Sequence, residues 1–407
     1  MVDNAEFGVP WSGRGMLYDQ GDIDAVVEAM TNADPQTQGR HQQAFERRFA
    51  ELCHVRHAFA VSSCTAALEL AAALCRLQPG DEVILPAHTF AASAIPFART
   101  GARLVWADID RDTRVISAET VAPLITPRTR VIVAVHLYGL VCAMDPLLDL
   151  ARRCGARVVE DAAQALGAHD HGRPAGSMGD FGCFSFHTHK NITTLGEGGM
   201  LTVRDPDLAE KAPGLRHNGL RGFADDRRQY WLPAMSNVDA DLDRQWPYNF
   251  CLGEAQCALG LRLLERVPAI NAARAARARH FMAELSAFPE LVFQTQPDGQ
   301  GHSHHLLAAR YQGPGPGRDA LIELLAFRYG VKAVVQYCPL YRYPLFIKAG
   351  FGAAHCPNSD ELFDNMVSFP FHLWQPEQQF LTMIEATRQA LTTLRGLRAA
   401  GAELRRA

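Results

Sequence analysis

Across residues 58–203 short strand-like runs alternate with helical ones, and nothing else in the chain restricts its fold as much. AFAVS (58–62) leads into CTAALELAAALCR, and EVILP (82–86) leads into TFAASAIPFART. RLVWADI, RVIVAV (130–135) and RVVED (157–161) continue the series. Repeated strand–helix units predict an α/β fold: a mostly parallel sheet with helices on both faces. HQQAFERRFAELC supports this, placing Phe45, Phe49, Leu52 and Cys53 on one helical face.

The regularity stops at 213–248, a stretch rich in Arg, Asp, Gly and aromatics that reads as a long functional loop. A helix at 252–267 follows, then a second, Ala/Arg-rich helix, AINAARAARARHFMAELSAF. Beyond them lie a turn at 313–318 (GPGPGR), a helix, a strand near 332–336 and a last helix from about Pro376. With 407 residues the chain exceeds one ordinary domain. The expected division is a large domain over 1–252 and a smaller α+β domain over 253–407.

Charge excludes some partners. The net charge is −4 and no basic block dominates, so a nucleic acid or membrane surface has no electrostatic footprint. The basic tail at 395–406 reads as a solvated helix end. No apolar run approaches the roughly 20 residues that span a bilayer. The N-terminus, MVDNAEFGVPWSGRG, has neither the basic nor the apolar part of a secretory signal. The ten cysteines form no CxxC pair and several sit in apolar runs, which predicts free thiols. A cytoplasmic protein is expected.

Three segments carry candidate chemistry. VVEDAAQALGA (158–168) ends a strand on Glu160 and Asp161, and ligands of open α/β sheets bind at the carboxyl ends of strands. Such an acid can equally cap a helix. DFGCFSFHTHKNITTLGEGGML (180–201) runs from a β-like CFSFH to Lys190 and a glycine cluster. A buried amine there has a lowered pKa and is a nucleophile; the glycines admit a ligand close to the backbone or simply make a turn. SSCTAALEL (62–70) places Ser62, Ser63 and Thr65 at a helix start, fit either for a phosphate or for N-capping. GxxxxGK[ST] does not occur, which rules out a P-loop.

The order and spacing of the three segments resemble the fold-type I enzymes that use pyridoxal 5′-phosphate (PLP). More narrowly, the chain resembles the DegT/DnrJ/EryC1/StrS sugar aminotransferases. The resemblance rests on SSCTAALEL, GDEVILPAHTFAASA, TPRTRVIVAVHLYG, VVEDAAQALGA, GDFGCFSFHTHKNITTLGEGG and YNFCLGEAQCALG. CPN (356–358) and SFPFHLW (368–374) extend it over nine tenths of the chain. It implies that Lys190 holds PLP as a Schiff base and that Asp161 pairs with the pyridinium nitrogen. It further implies that Gln164 faces the 3-hydroxyl side, Phe90 stacks on the ring, and Thr65 and Ala66 form the phosphate turn with Ser185. Asn249 then reaches the phosphate in the partner subunit of a homodimer.

The implied reaction is transamination, with Lys190 as general base, from glutamate or glutamine to a keto sugar, nucleotide-linked or phosphorylated, or a cyclitol. His187, His189, Tyr230 and Trp231 are candidate substrate contacts. Two departures touch substrate contact: Leu195 interrupts the usual Thr-Gly-Glu-Gly-Gly, and Cys251 and Leu252 follow the YNF match. Alternatives are a PLP-dependent sugar dehydratase, which Lys190 disfavours because some relatives use His at that position, and a non-catalytic regulatory protein of the same fold. His302, His304 and His305 invite a metal reading, but without further carboxylate or Cys ligands to complete a set no metal is expected.

Overall fold

The computed structural model describes residues 6–220, 231, 242, 245–313 and 317–399. Its main sheet is built from β1 (His57–Val61), β2 (Glu82–Pro86), β3 (Arg103–Ala107), β4 (Thr129–Val135) and β5 (Arg157–Asp161). A two-residue hairpin, β6 (His169–Asp170) and β7 (Arg173–Pro174), precedes the last two strands, β8 (Phe181–Ser185) and β9 (Gly199–Val203). The seven strands run in the order β1-β9-β8-β5-β4-β2-β3. Pairing is parallel from β3 through β8, while β9 lies antiparallel to both β8 and β1. The expected α/β architecture holds.

Both faces of this sheet are covered, so its central strands are continuous apolar runs rather than alternating ones. In β4 every residue but Arg130 is buried. The helix Cys64–Cys75 is buried from Ala66 to Leu74, its alanines allowing close packing on the sheet. Helix Arg40–Leu52 buries Phe45 and Phe49 against Phe184 and Phe186, with ring centroids 4.8–6.0 Å apart. Helix Met144–Cys154 stops at Gly155, whose φ of 70° is the left-handed conformation that favours glycine at a helix end.

Three expectations are corrected. The two helices expected at 252–267 and beyond form one helix, Glu254–Glu284, that continues through Pro268. It continues because both halves are held by packing: Cys257, Leu263 and Val267 sit in the main core, Ala278 and Phe281 in a second one. The strand expected near 332–336 is not a strand. Val331 bridges Val9 and Val334 bridges Ser368, two isolated pairings to different partners in place of a ladder. The β-like run expected at 183–187 is shifted two residues earlier, to β8.

A three-stranded antiparallel sheet, β10 (Leu291–Phe293), β11 (Leu307–Tyr311) and β12 (Met366–Phe369), accompanies the second core. The last helix, Glu377–Ala399, covers this core with Phe380, Met383 and Leu391. All ten cysteines are free. Among the described residues no helix is long and apolar enough to cross a membrane. Most of 213–248 lies outside the described residues; its start is the short helix Ala212–Arg216.

Candidate active site

The carboxyl ends of the parallel strands open into a cavity of about 350 Å³. Asp161, the last residue of β5, lines it, whereas Glu160 points to the opposite face, as strand alternation requires. Glu160 is spent on structure: it accepts hydrogen bonds from the backbone N–H groups of Gly176, Met178 and Gly179 and from His136 Nε2. Asp161 is buried and accepts from Ser93 Oγ (2.6 Å) and the Ala163 N–H (3.1 Å). It makes no ion pair among the described residues.

Lys190 follows β8 in an irregular segment folded back on itself. Its N–H donates to the His187 carbonyl, Thr188 N–H to Gly196, and Thr194 N–H to Phe186. Its side chain lines the cavity, and enclosure by the walls lowers the ammonium's pKa below its usual value, partly offset by Cys64 and Asp161. Of the glycine cluster, Gly199 has a structural task. A Cβ there would stand 2.4 Å from the Ser63 carbonyl carbon, so the residue lets β9 pass close to the turn after β1.

That turn starts the helix Cys64–Cys75. Ser63 is its N-cap, accepting the Ala66 N–H at 3.1 Å, so Ala66 is committed to the cap and lies behind the cavity wall. Ser63, Cys64 and Thr65 line the cavity, with a helix N-terminus favouring an anion between them. Ser185, at the end of β8, lines it as well. Gln164 is fixed from both ends: Oε1 accepts the Tyr138 N–H (2.6 Å) and Nε2 donates to Tyr337 OH (3.2 Å). Phe90 stands at the wall, half-exposed and edge-on to Tyr337.

Thus Thr65, Phe90, Asp161, Gln164, Ser185, His187, His189 and Lys190 come together, as the sequence suggested. Others do not. Asn249 is exposed, bridged to His217 away from the cavity, and Trp231 is exposed and also outside it. Tyr230 lies outside the described residues. His302 and His304 stack at 4.1 Å. One nitrogen of His302 faces Gln294 and the other accepts the His304 N–H. Among the described residues no cluster of three or more metal-ligating side chains occurs. Sequence reasoning missed Trp11, Arg14 and Gly15 from the N-terminal segment, Ser93, and the far wall of His305, Gln336, Tyr337 and His372.

Residues 18–386 match the model of the DegT/DnrJ/EryC1/StrS aminotransferase family. The chain belongs to this family. It is 34% identical over 392 residues to the spore coat polysaccharide biosynthesis protein SpsC of Bacillus subtilis, covering 95% of this chain and 98% of that one. It is 43% identical over 256 residues to GDP-perosamine synthase of Caulobacter vibrioides, a match spanning 63% of this chain and 65% of the relative. Among solved structures, Helicobacter pylori PseC, an aminotransferase of pseudoaminic acid biosynthesis, superposes with a TM-score of 0.84. It is 25% identical and is matched over 94% of this chain and 99% of its own. A Streptococcus pneumoniae protein described as a sugar aminotransferase, solved in PMP and PLP forms, superposes at 0.86 and 0.83 with 26% identity. The matches cover 95% of this chain in both cases and 100% and 99% of that protein.

As a member of this family the chain is a PLP-dependent aminotransferase, and its site fits that cofactor. A buried carboxylate that makes no ion pair among the described residues suits a protonated ring nitrogen. An enclosed lysine suits a carbonyl, and hydroxyls at a helix N-terminus suit a phosphate.

Proposed function

We propose that the chain transfers an amino group from glutamate or glutamine to a keto group of a sugar carried on a nucleotide or phosphate. The observation that carries the reading is the pairing of Asp161 and Lys190 in one cavity at the strand ends. PLP supplies an electron sink that makes a proton on the donor's α-carbon removable.

The chain's residues do the rest. Asp161, held by Ser93 and Ala163, keeps a positive charge on the ring nitrogen. Lys190 would hold the cofactor through its amine and, as a free base, would move a proton at the donor's α-carbon. Its lowered pKa leaves more free base at neutral pH. Ser63, Thr65 and Ser185 hold the phosphate, Phe90 covers the ring, and Gln164 orients its hydroxyl side. His187 and His189, their rings 5.0 Å apart on the cavity rim, contact substrate.

Two chains complete each other's sites, with Asn249 reaching the neighbour's phosphate. We place the domain boundary at 252/253 and the protein in the cytoplasm. Three relatives are named for GDP-, UDP- and dTDP-linked sugars, which favours a nucleotide-linked acceptor.

The test is spectroscopic. The PLP-loaded protein absorbs visible light, and glutamate or glutamine should bleach it. Persistence of the absorbance with both donors overturns the reading.

A further inference from the structure

Residues 9–15 form a strap along the cavity, tied at both ends by backbone hydrogen bonds. Val9 pairs with the segment around Val331, both residues lying in the second core: its N–H donates to the Gly330 carbonyl (2.9 Å) and its carbonyl accepts the Lys332 N–H (3.0 Å). At the other end the Gly15 N–H donates to the Thr188 carbonyl (2.7 Å), and Thr188 Oγ1 donates to the Gly13 carbonyl (3.0 Å). A third tie is Trp374 Nε1, which donates to the Arg14 carbonyl (2.9 Å). Gly15 is buried so closely against the Lys190 loop that a Cβ there would stand 2.4 Å from the Lys190 carbonyl oxygen.

The strap therefore fixes the backbone of Arg14 while leaving its side chain uncommitted. Arg14 lines the cavity and is exposed. Among the described residues its guanidinium donates no hydrogen bond and makes no ion pair. That contrasts with the interior arginines Arg114 and Arg274, which are used up on backbone carbonyls. A cation on a rigid rim, above a cavity whose floor holds Asp161 and Lys190, meets whatever part of a ligand extends furthest toward solvent. On the far wall Gln336 and the buried His372 line the same cavity, and Gln336 Oε1 and His372 Nδ1 are buried without a partner among the described residues. Burial pulls the His372 imidazole down to about 4, so it is neutral at physiological pH. A neutral polar wall suits hydroxyl groups, and a bare guanidinium suits an anion.

We infer that Arg14 is a specificity-determining residue that binds the phosphate or diphosphate of the acceptor, with the sugar ring lying against the Gln336 and His372 wall. The inference rests on the proposed function in taking the acceptor to be a phosphorylated sugar. A guanidinium pairs with phosphate oxygens through two parallel N–H donors, a geometry that lysine lacks. The donor's distal carboxylate is the other anion able to reach the rim, and the experiment separates the two.

PLP-loaded wild type, Arg14→Gln and Arg14→Lys are titrated by calorimetry with UDP, GDP, dTDP and glucose 6-phosphate. Wild type should bind at least one of these. Arg14→Gln should weaken that binding by about tenfold or more, the scale of a lost charge-assisted hydrogen-bond pair. Arg14→Lys should fall between them. Added salt should weaken binding to wild type more than to Arg14→Gln. Because the strap is held by backbone contacts, the variants should keep the wild-type visible absorbance. Equal affinity of wild type and Arg14→Gln overturns the inference, as does failure of wild type to bind any of the four. A slower response to glutamate in Arg14→Gln with unchanged phosphate binding also overturns it, assigning the side chain to the donor. Failure of the proposed function itself appears separately, as wild-type absorbance that neither glutamate nor glutamine bleaches.

Discussion

Asp161 and Lys190 divide the electrostatic work of the cavity, and substitutions at each should separate their roles. Asp161→Asn keeps the shape and the Ser93 contact but removes the charge proposed to face the ring nitrogen. Turnover should fall at least about a hundredfold, the scale seen when a preorganised charge or donor is removed from an active site, while the protein still folds. Near-normal turnover would assign the task to another acid. Lys190 should be the only lysine that carries a pyridoxyl group after borohydride reduction and peptide mapping, and a label elsewhere would refute its assignment. Both residues were legible in the sequence because Asp161 ends a strand with a strong hydrophobic pattern and Lys190 follows another, β8, by five residues within a segment that resembles the family's. Ser93 was not, since a serine inside TFAASA carries no sign that its hydroxyl will meet a carboxylate 68 positions away.

At the level of elements, regular structure was legible where the pattern was local. The parallel strands β2 and β5 coincide with the runs read from sequence because a strand buried on both faces is a short apolar run bounded by turns. Legibility failed where long-range packing decides. The helix Glu254–Glu284 passes through Pro268 because two cores hold its halves, which a rule about proline in isolation cannot anticipate. The strap at 9–15 has no periodicity at all, and its place in the cavity comes from hydrogen bonds to residues as distant as Trp374. The long helix also carries Arg274, buried, which donates to the carbonyls of His304, His305 and Phe371. Burial lowers its pKa to about 9. His305 and Phe371 line the cavity, so Arg274 positions its far wall. Arg274→Met would leave these carbonyls without donors, at about 1–3 kcal/mol for each one that stays unsatisfied. A destabilisation of about 2–4 kcal/mol is expected, read as a lower denaturant midpoint at unchanged slope. A shift below about 0.5 kcal/mol would show that water or a rearranged loop replaces the arginine.

At the scale of the whole molecule, activity should require two chains. Asn249 and the aromatic residues near it are poorly placed to act on their own cavity. Trp246 is 89% exposed and Trp231 66%. Tyr248 and Phe250 stack at 4.5 Å on either side of an exposed Asn249. The tempting local explanation, that Asn249 caps the helix after it, does not hold, because Gly253 is the N-cap and no side chain bonds to it. Yet the segment is anchored near the cofactor end of the fold: the Phe250 carbonyl accepts the Ser62 N–H (2.8 Å), one residue before the cap of Cys64–Cys75. Exposed large aromatics beside a polar residue on a bridged backbone mark an interface, and a two-fold arrangement would present each Asn249 to the other chain's phosphate site. Complementation decides the matter. Lys190→Ala and Asn249→Ala, each nearly inactive alone, are co-expressed and the mixed dimers isolated. If sites are shared, one site of the mixed dimer carries both lesions and the other neither, so about half of the wild-type activity per dimer should return. If Asn249 serves its own chain, every site carries a lesion and the mixed dimer stays inactive. An active monomer, or mixed dimers that show no recovery, would remove the shared site from the mechanism and leave Asn249 as a surface residue.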